Sequence, residues 1–77
     1  GYVHNTLAVD GVEVGIMLVE LPSEIKCSFR SKGDVYVNEL AKQFGGGGHV
    51  YAAGARVKNQ TLQQVLDAVL DKASTIL

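Results

Sequence analysis

The segment Gly45-Gly46-Gly47-Gly48-His49 has the residue types and spacing best suited to a chemical role. Each glycine costs roughly 0.5–1 kcal/mol of backbone entropy relative to alanine when it is ordered. Glycine also allows positive φ and close approach of a ligand, so that successive N–H groups can surround an anion. His49 adds a polar side chain. The pattern predicts an anion-binding loop, to which residues 50–53, if helical, would contribute N-terminal amides.

A second candidate group lies in residues 24–31, where apolar and polar side chains alternate. Alternation with period two predicts a strand with one buried and one polar face. The polar face carries Ser28 and Arg30, and Ser31 follows directly. Because guanidinium matches a phosphate group in a two-bond contact, Arg30 is the natural partner of the glycine loop.

Each of these residues also has an ordinary structural interpretation. A glycine run is typical of a flexible surface linker, an arginine on a strand of a solvated side chain, and a histidine of a packing or capping residue. The run here joins a helix end directly to His49 and a small-residue segment, Ala52-Ala53-Gly54, which favours the binding interpretation. For Tyr36 and Tyr51 we expect partial burial, although a tyrosine can stack on a base.

The sequence offers a place for phosphate but no group to cleave it. No Lys-Ser or Lys-Thr follows the glycines, as a Walker A loop requires, and there is no H-E-x-x-H. The acidic residues lack metal-ligand spacing. We therefore expect neither a catalytic residue nor a metal site in these 77 residues.

Composition narrows the class of protein further. The chain of 77 residues is one small domain with 47% hydrophobic residues and a net charge of −1, so phosphate recognition must come from a local site rather than from a basic surface. Cys27 is the single cysteine and fits a buried strand position, which favours a reducing, cytoplasmic setting. The apolar run Ile16–Val19 is too short to span a bilayer. We interpret the chain as a piece of a longer protein.

The spacing of apolar residues predicts the strands and helices that hold these candidate residues. Residues 12–21 predict a strand covered on both faces, and a turn at Pro22 joins it to strand 24–31. The spacing of Val37, Leu40, Ala41 and Phe44 predicts a short helix, with Asn38 or Asp34 as N-cap and Gly45 as C-terminal cap. A short strand over 55–57 and a helix that starts in a Thr61–Gln64 capping box complete the pattern. We expect a small two-layer α/β domain with a mixed sheet packed by helices.

Three segments together resemble a known family. They are C-S-F-R-S-K-G at 27–33, V-N-E-L-A at 37–41 and G-G-G-G-H-V-Y-A-A-G at 45–54. They look like the C-terminal associated domain of the DHH phosphoesterases, a RecJ-related family, in its NrnA-like group of oligoribonucleases and pAp phosphatases. The resemblance covers nearly the whole chain, with residues 1–10 as the end of the interdomain connection.

The resemblance implies a substrate-binding domain of a metal-dependent phosphoesterase, a hydrolase that is inactive without its other half. Its phosphate-binding residues by position are Ser28, Arg30, Ser31, Gly45, Gly46, Gly47, Gly48 and His49. The missing DHH domain would hold two divalent metals, usually Mn²⁺. The implied substrates are short oligoribonucleotides, pAp or cyclic dinucleotides. Some members of the family also carry names related to exopolyphosphatase.

A different class of function stays open at this stage. The scaffold also occurs in alanyl-tRNA synthetases, where it is not a hydrolase. A non-catalytic module for nucleic-acid binding or for oligomerisation, including a homodimer, would use the sheet edge or the last helix, and the glycines would then be a linker.

Overall fold

The computed structural model describes residues 4–9, 12–32 and 35–76. Strands β1 (His4–Val9), β2 (Val12–Glu20) and β3 (Glu24–Ser31) come first. Helix α1 (Val37–Lys42), strands β4 (Gly47–His49) and β5 (Ala52–Lys58), and helix α2 (Leu62–Ile76) follow. The predicted small two-layer α/β domain is confirmed.

The five strands form one sheet in the order β1-β2-β3-β5-β4, and every neighbouring pair is antiparallel. The expectation of a mixed sheet was therefore wrong for the described strands. Short connections join β2 to β3 and β4 to β5, and only two residues of sequence separate β1 from β2. Connections of this length give antiparallel pairs. The α1 crossover does bring β4 parallel to β3, but β5 lies between them.

One face of the sheet carries the core. The alternation in β3 buries Ile25, Cys27 and Phe29, and their register partners on β2 and β5 lie on the same face. Phe29 packs near Phe44, with ring centroids 6.5 Å apart. The stripe predicted for α1 is confirmed, and α2 adds the buried residues Val65, Val69 and Ala73.

The prediction that β2 is covered on both faces was wrong, because only one of its faces is buried. Val14, Ile16 and Leu18 are buried, whereas Met17, on the opposite face, is 37% exposed. The continuous apolar run at 16–19 indicated a strand buried on both sides. Both helices pack on the same side of the sheet, so the second face stays open.

The C-terminus of α1 and the N-terminus of α2 have the partners expected from the sequence. Gly45 N–H donates to Lys42 C=O and Gly46 N–H to Ala41 C=O, with Gly45 at φ +79°, which is the Schellman arrangement. At α2, Gln64 N–H donates to Thr61 Oγ1 at 3.1 Å and Thr61 N–H to Gln64 Oε1 at 2.9 Å, which confirms the capping box.

The start of α1 differs from prediction. Its N-cap is Tyr36, which makes no side-chain cap bond, and Asn38 lies inside the helix. The alternative, Asp34, lies outside the described residues. Val37 N–H instead donates to Val50 C=O at 2.8 Å, so a turn from elsewhere in the chain satisfies this helix end.

Two strands differ from what the sequence predicted. Residues 4–9, whose apolar residues follow no sustained period, form strand β1. Strand β5 covers 52–58 rather than 55–57. Within the described part of the chain, neither helix has the length and apolar character needed to cross a membrane.

Candidate functional site

The register brings Arg30 and His49 into one row on the open face of the sheet. Arg30 pairs with Ala52, and Ala52 pairs with His49, so the three side chains share a face. Two strand spacings separate Arg30 from His49, roughly 10 Å between Cα atoms. Both side chains are exposed. A long cationic side chain and an imidazole thus flank a floor formed by a single methyl group.

The side chains in the neighbouring row of residues are smaller still. Ser28 pairs with Gly54, and Gly54 pairs with Gly47, so only the Ser28 hydroxymethyl group rises from that stretch. A Cβ at Gly54 would lie 2.9 Å from Cys27 C=O, so the small residue is required for strand packing. Together the two rows make a shallow floor with Arg30 and Ser28 on one side and His49 on the other.

Ser31 lies apart from these residues. It is 9% exposed and pairs with Val14, whose side chain belongs to the core face. Adjacent positions on a strand point to opposite faces, so Ser31 cannot share the open face with Arg30. Of the two serines predicted for the site, the structure brings only Ser28 to Arg30 and His49.

The glycine run is a helix cap followed by a strand, not a free loop. Gly45 and Gly46 use their amides in the cap of α1, and Gly47 to His49 form β4. A nest made by all the amides of the run does not form, because two of them already donate to helix carbonyls. Residues 50–53 are not helical: Val50 and Tyr51 form the turn into β5.

Three of the four glycines have a structural reason to be glycine. Gly45 takes the left-handed conformation of the helix cap. A Cβ at Gly46 would lie 2.7 Å from Ala55 Cα, and one at Gly48, where φ is +143°, would lie 2.8 Å from Ala53 Cα. Gly47 is different, since it has no positive φ and an added Cβ would meet nothing within 4 Å.

The turn between β4 and β5 is fixed from two sides. Val50 C=O accepts the N–H of Val37, and Tyr51 C=O accepts the N–H of Ser31 at 2.9 Å. These bonds fasten the hairpin to the start of α1 and to the end of β3. The row that contains Arg30 and His49 therefore lies beside a turn whose backbone is held in place.

An aromatic pair lies at the same end of the sheet. Tyr36 is 54% and Tyr51 48% exposed, and their rings meet edge to face with centroids 6.0 Å apart. Each ring is thus about half covered, which agrees with the partial burial expected from the sequence. Each ring is partly covered by the other, but neither enters the core.

Cys27 is a buried residue of the core rather than a surface thiol. Its burial raises the pKa of the thiol from 9.0 to about 11, so it stays protonated and unreactive. Among the described residues, no three His, Cys, Asp or Glu side chains lie close enough to hold a metal ion.

Comparison with known proteins agrees with this architecture. Residues 2–77 match the DHHA1 domain family, and the chain belongs to that family. Two similar proteins are named bifunctional oligoribonuclease and PAP phosphatase NrnA. The one from Thermus thermophilus is 41% identical over 63 residues, 82% of this chain and 19% of its own length. The one from Bacillus subtilis is 41% identical over 49 residues, 64% of this chain and 15% of its own length.

The chain thus spans a fifth or less of the relatives it matches. Their names describe enzymes that act on oligoribonucleotides and on PAP. This supports the family resemblance stated from the sequence, at the level of the domain.

Proposed function

We propose that this domain binds the phosphate group of a nucleotide or short oligonucleotide and presents it for hydrolysis by the rest of a longer phosphoesterase. The observation that carries the proposal is the row Arg30–Ala52–His49 on the open face. A cation and a hydrogen-bonding ring face each other across an uncovered backbone, and both side chains can donate hydrogen bonds to phosphate oxygens.

Each residue has a distinct part in this proposal. Arg30 donates two parallel hydrogen bonds to phosphate oxygens, and His49 donates one from the opposite side. The Ser28 hydroxyl donates from the neighbouring row. Gly47 leaves its surface free for the ligand, whereas Gly45, Gly46 and Gly48 shape the chain around it. Ser31 acts indirectly, through the backbone bond that fixes the end of β3.

The chemical step belongs outside these residues. The described residues contain no group of three or more His, Cys, Asp or Glu side chains that could hold a metal ion. We propose that a DHH domain in the same polypeptide holds two divalent ions, expected to be Mn²⁺, which would activate the attacking water. A cytoplasmic location is part of the same proposal, because a free buried thiol such as that of Cys27 is typical of a reducing compartment. This domain's own contribution is to hold the phosphate still and oriented.

The test uses the longer protein proposed to carry this domain, assayed on pAp and on a short oligoribonucleotide. We expect Arg30→Ala and His49→Ala each to lower kcat/KM by about 10- to 100-fold, the worth of one charge-assisted contact. Bound metal should be unchanged. Lys72→Ala, an exposed cation on α2, is the matched control and should leave kinetics within about 2-fold. Unchanged kinetics in both variants would overturn the proposal and favour the non-catalytic module.

A further inference from the structure

One corner of the molecule exposes three large apolar or aromatic side chains together. They are Tyr36, Val50 and Tyr51, and only two others of this kind, Met17 and Leu70, are exposed among the described residues. Val50 and Tyr51 form the turn between β4 and β5, and Tyr36 precedes α1. Aromatic side chains gain much from burial, yet the fold leaves these rings half uncovered. The cluster therefore indicates a contact that the described residues do not make among themselves.

The two tyrosine rings are held in a fixed arrangement. They meet edge to face with centroids 6.0 Å apart, so each ring limits the movement of the other. The turn that carries Tyr51 has no residue at positive φ, which the favoured two-residue hairpin turns require. Its shape depends instead on the N–H groups of Val37 and Ser31, which donate to its two carbonyl groups. A rigid aromatic surface loses little entropy when a flat ligand stacks on it.

The tyrosine pair lies next to the proposed phosphate site. Tyr51 directly precedes Ala52, the central residue of the row, so the two Cα atoms are roughly 3.8 Å apart. The C=O of Tyr51 accepts the N–H of Ser31, the residue that follows Arg30. A nucleotide joins its base to its phosphate through a single sugar. A phosphate held by Arg30 and His49 thus brings the base of the same nucleotide to this end of the sheet.

The size of the exposed surface suits a base better than a protein partner. Two half-exposed tyrosines and one valine offer far less than the roughly 800 Å² per partner that a stable protein interface buries. Stacking on aromatic side chains is a common way in which proteins hold an unpaired base. Because stacking depends on ring area, a purine with two fused rings gains more from it than a pyrimidine with one.

We propose that Tyr36 and Tyr51 form a stacking platform for the base of the nucleotide whose phosphate Arg30 and His49 hold, and that this platform favours purines. The inference rests on the proposed phosphate site and adds the part that selects the nucleoside. The aromatic rings supply the contact, and the two phenol hydroxyl groups are not needed for it.

The experiment measures kcat/KM in the longer protein for pAp, for the corresponding cytidine bisphosphate and for an abasic ribose bisphosphate. Tyr36→Ala and Tyr51→Ala should each lower the value for pAp by about 5- to 100-fold, as loss of a base–aromatic stack does, and leave the abasic compound within about 2-fold. The preference for pAp over the cytidine compound should fall with it.

Two controls separate stacking from a structural effect. Tyr36→Phe and Tyr51→Phe keep the rings and should stay within about 2-fold of the wild type on all three compounds. Leu70→Ala removes another exposed hydrophobic side chain, on α2, and should also stay within about 2-fold.

Two results would overturn the inference. Unchanged kinetics on pAp in both alanine variants would show that no base stacks on the pair. An equal loss on pAp and on the abasic compound would show that the tyrosines support the phosphate site or contact another part of the protein. A failure of the phosphate site itself would appear elsewhere, as unchanged kinetics of Arg30→Ala and His49→Ala on all three compounds.

Discussion

Strand β3 supplies both faces of the sheet from one eight-residue segment, and the two faces differ in kind. Its odd-numbered residues are buried against the helices, and Phe29 is completely enclosed. Its even-numbered residues Lys26, Ser28 and Arg30 stand on an open surface of small residues and glycine backbone. A slip in register by one residue would exchange the two sets, so the register that fixes the core also fixes the candidate site.

The glycine segment shows the same division within four residues. Gly46 and Gly48 face close neighbours, and Gly45 completes the helix cap, so these three serve the fold. Gly47 alone stands on the open face with space above it. A run of identical residues can therefore combine structural positions with one position left free for a ligand.

The greatest loss of stability is expected from a substitution on the covered face of β3, whereas a substitution on its open face should have little effect. Phe29→Ala removes a fully buried ring and should lower the free energy of unfolding by about 3–5 kcal/mol. Arg30→Ala, the next residue, should change it by less than about 0.5 kcal/mol. Denaturant unfolding of both variants measures the difference. Similar losses in the two would contradict the assignment of the faces.

The next largest difference in stability is expected between substitutions of the adjacent glycines Gly46 and Gly47. Gly46→Ala forces a methyl group against β5 and should cost about 1–3 kcal/mol of folding free energy. Gly47→Ala should be neutral or stabilise the domain by up to about 1 kcal/mol, because alanine restricts the unfolded chain more than glycine does. The same Gly47→Ala change should weaken nucleotide binding. Equal stability losses at both positions would disprove the distinction.

A smaller effect concerns pH and the buried thiol. The pKa of Cys27 rises from 9.0 to about 11 on burial, so above pH 9 the unfolded state releases a proton that the folded state keeps. Stability from this group is complete below pH 9 and is lost as pH rises towards 11. At pH 10 the loss relative to pH 7 should be about 1.4 kcal/mol larger in the wild type than in Cys27→Ala. Parallel pH profiles would argue against a buried thiol.

The sequence was a good guide wherever a signal was local. The alternation in residues 24–31 identifies both faces of β3, and the Thr61–Gln64 spacing identifies the start of α2, because neighbouring residues determine these features. Gly45 as a cap follows from its place after the apolar stripe of α1. Ser28 and Arg30 could be assigned to one face for the same reason.

Other features depend on contacts between distant segments and were missed. Glycine has little strand propensity, so β4 forms only because β5 pairs with it. The insertion of β5 between β3 and β4 places His49 in the row of Arg30, and no periodicity reveals strand order. Ala52 and Gly54 lie two residues apart, so in a strand they share one face. This spacing of small residues could have indicated a strand face with almost no side chains.

The proposal that Arg30 and His49 hold the same phosphate group is tested most directly by a double-mutant cycle on these two residues. The measured quantity is the dissociation constant for pAp in the longer protein. If both side chains hold the same phosphate, the two losses should not add, and the double variant should bind only slightly more weakly than the weaker single variant. A loss equal to the product of the two single effects would contradict the claim, because it would mean that Arg30 and His49 act at separate places.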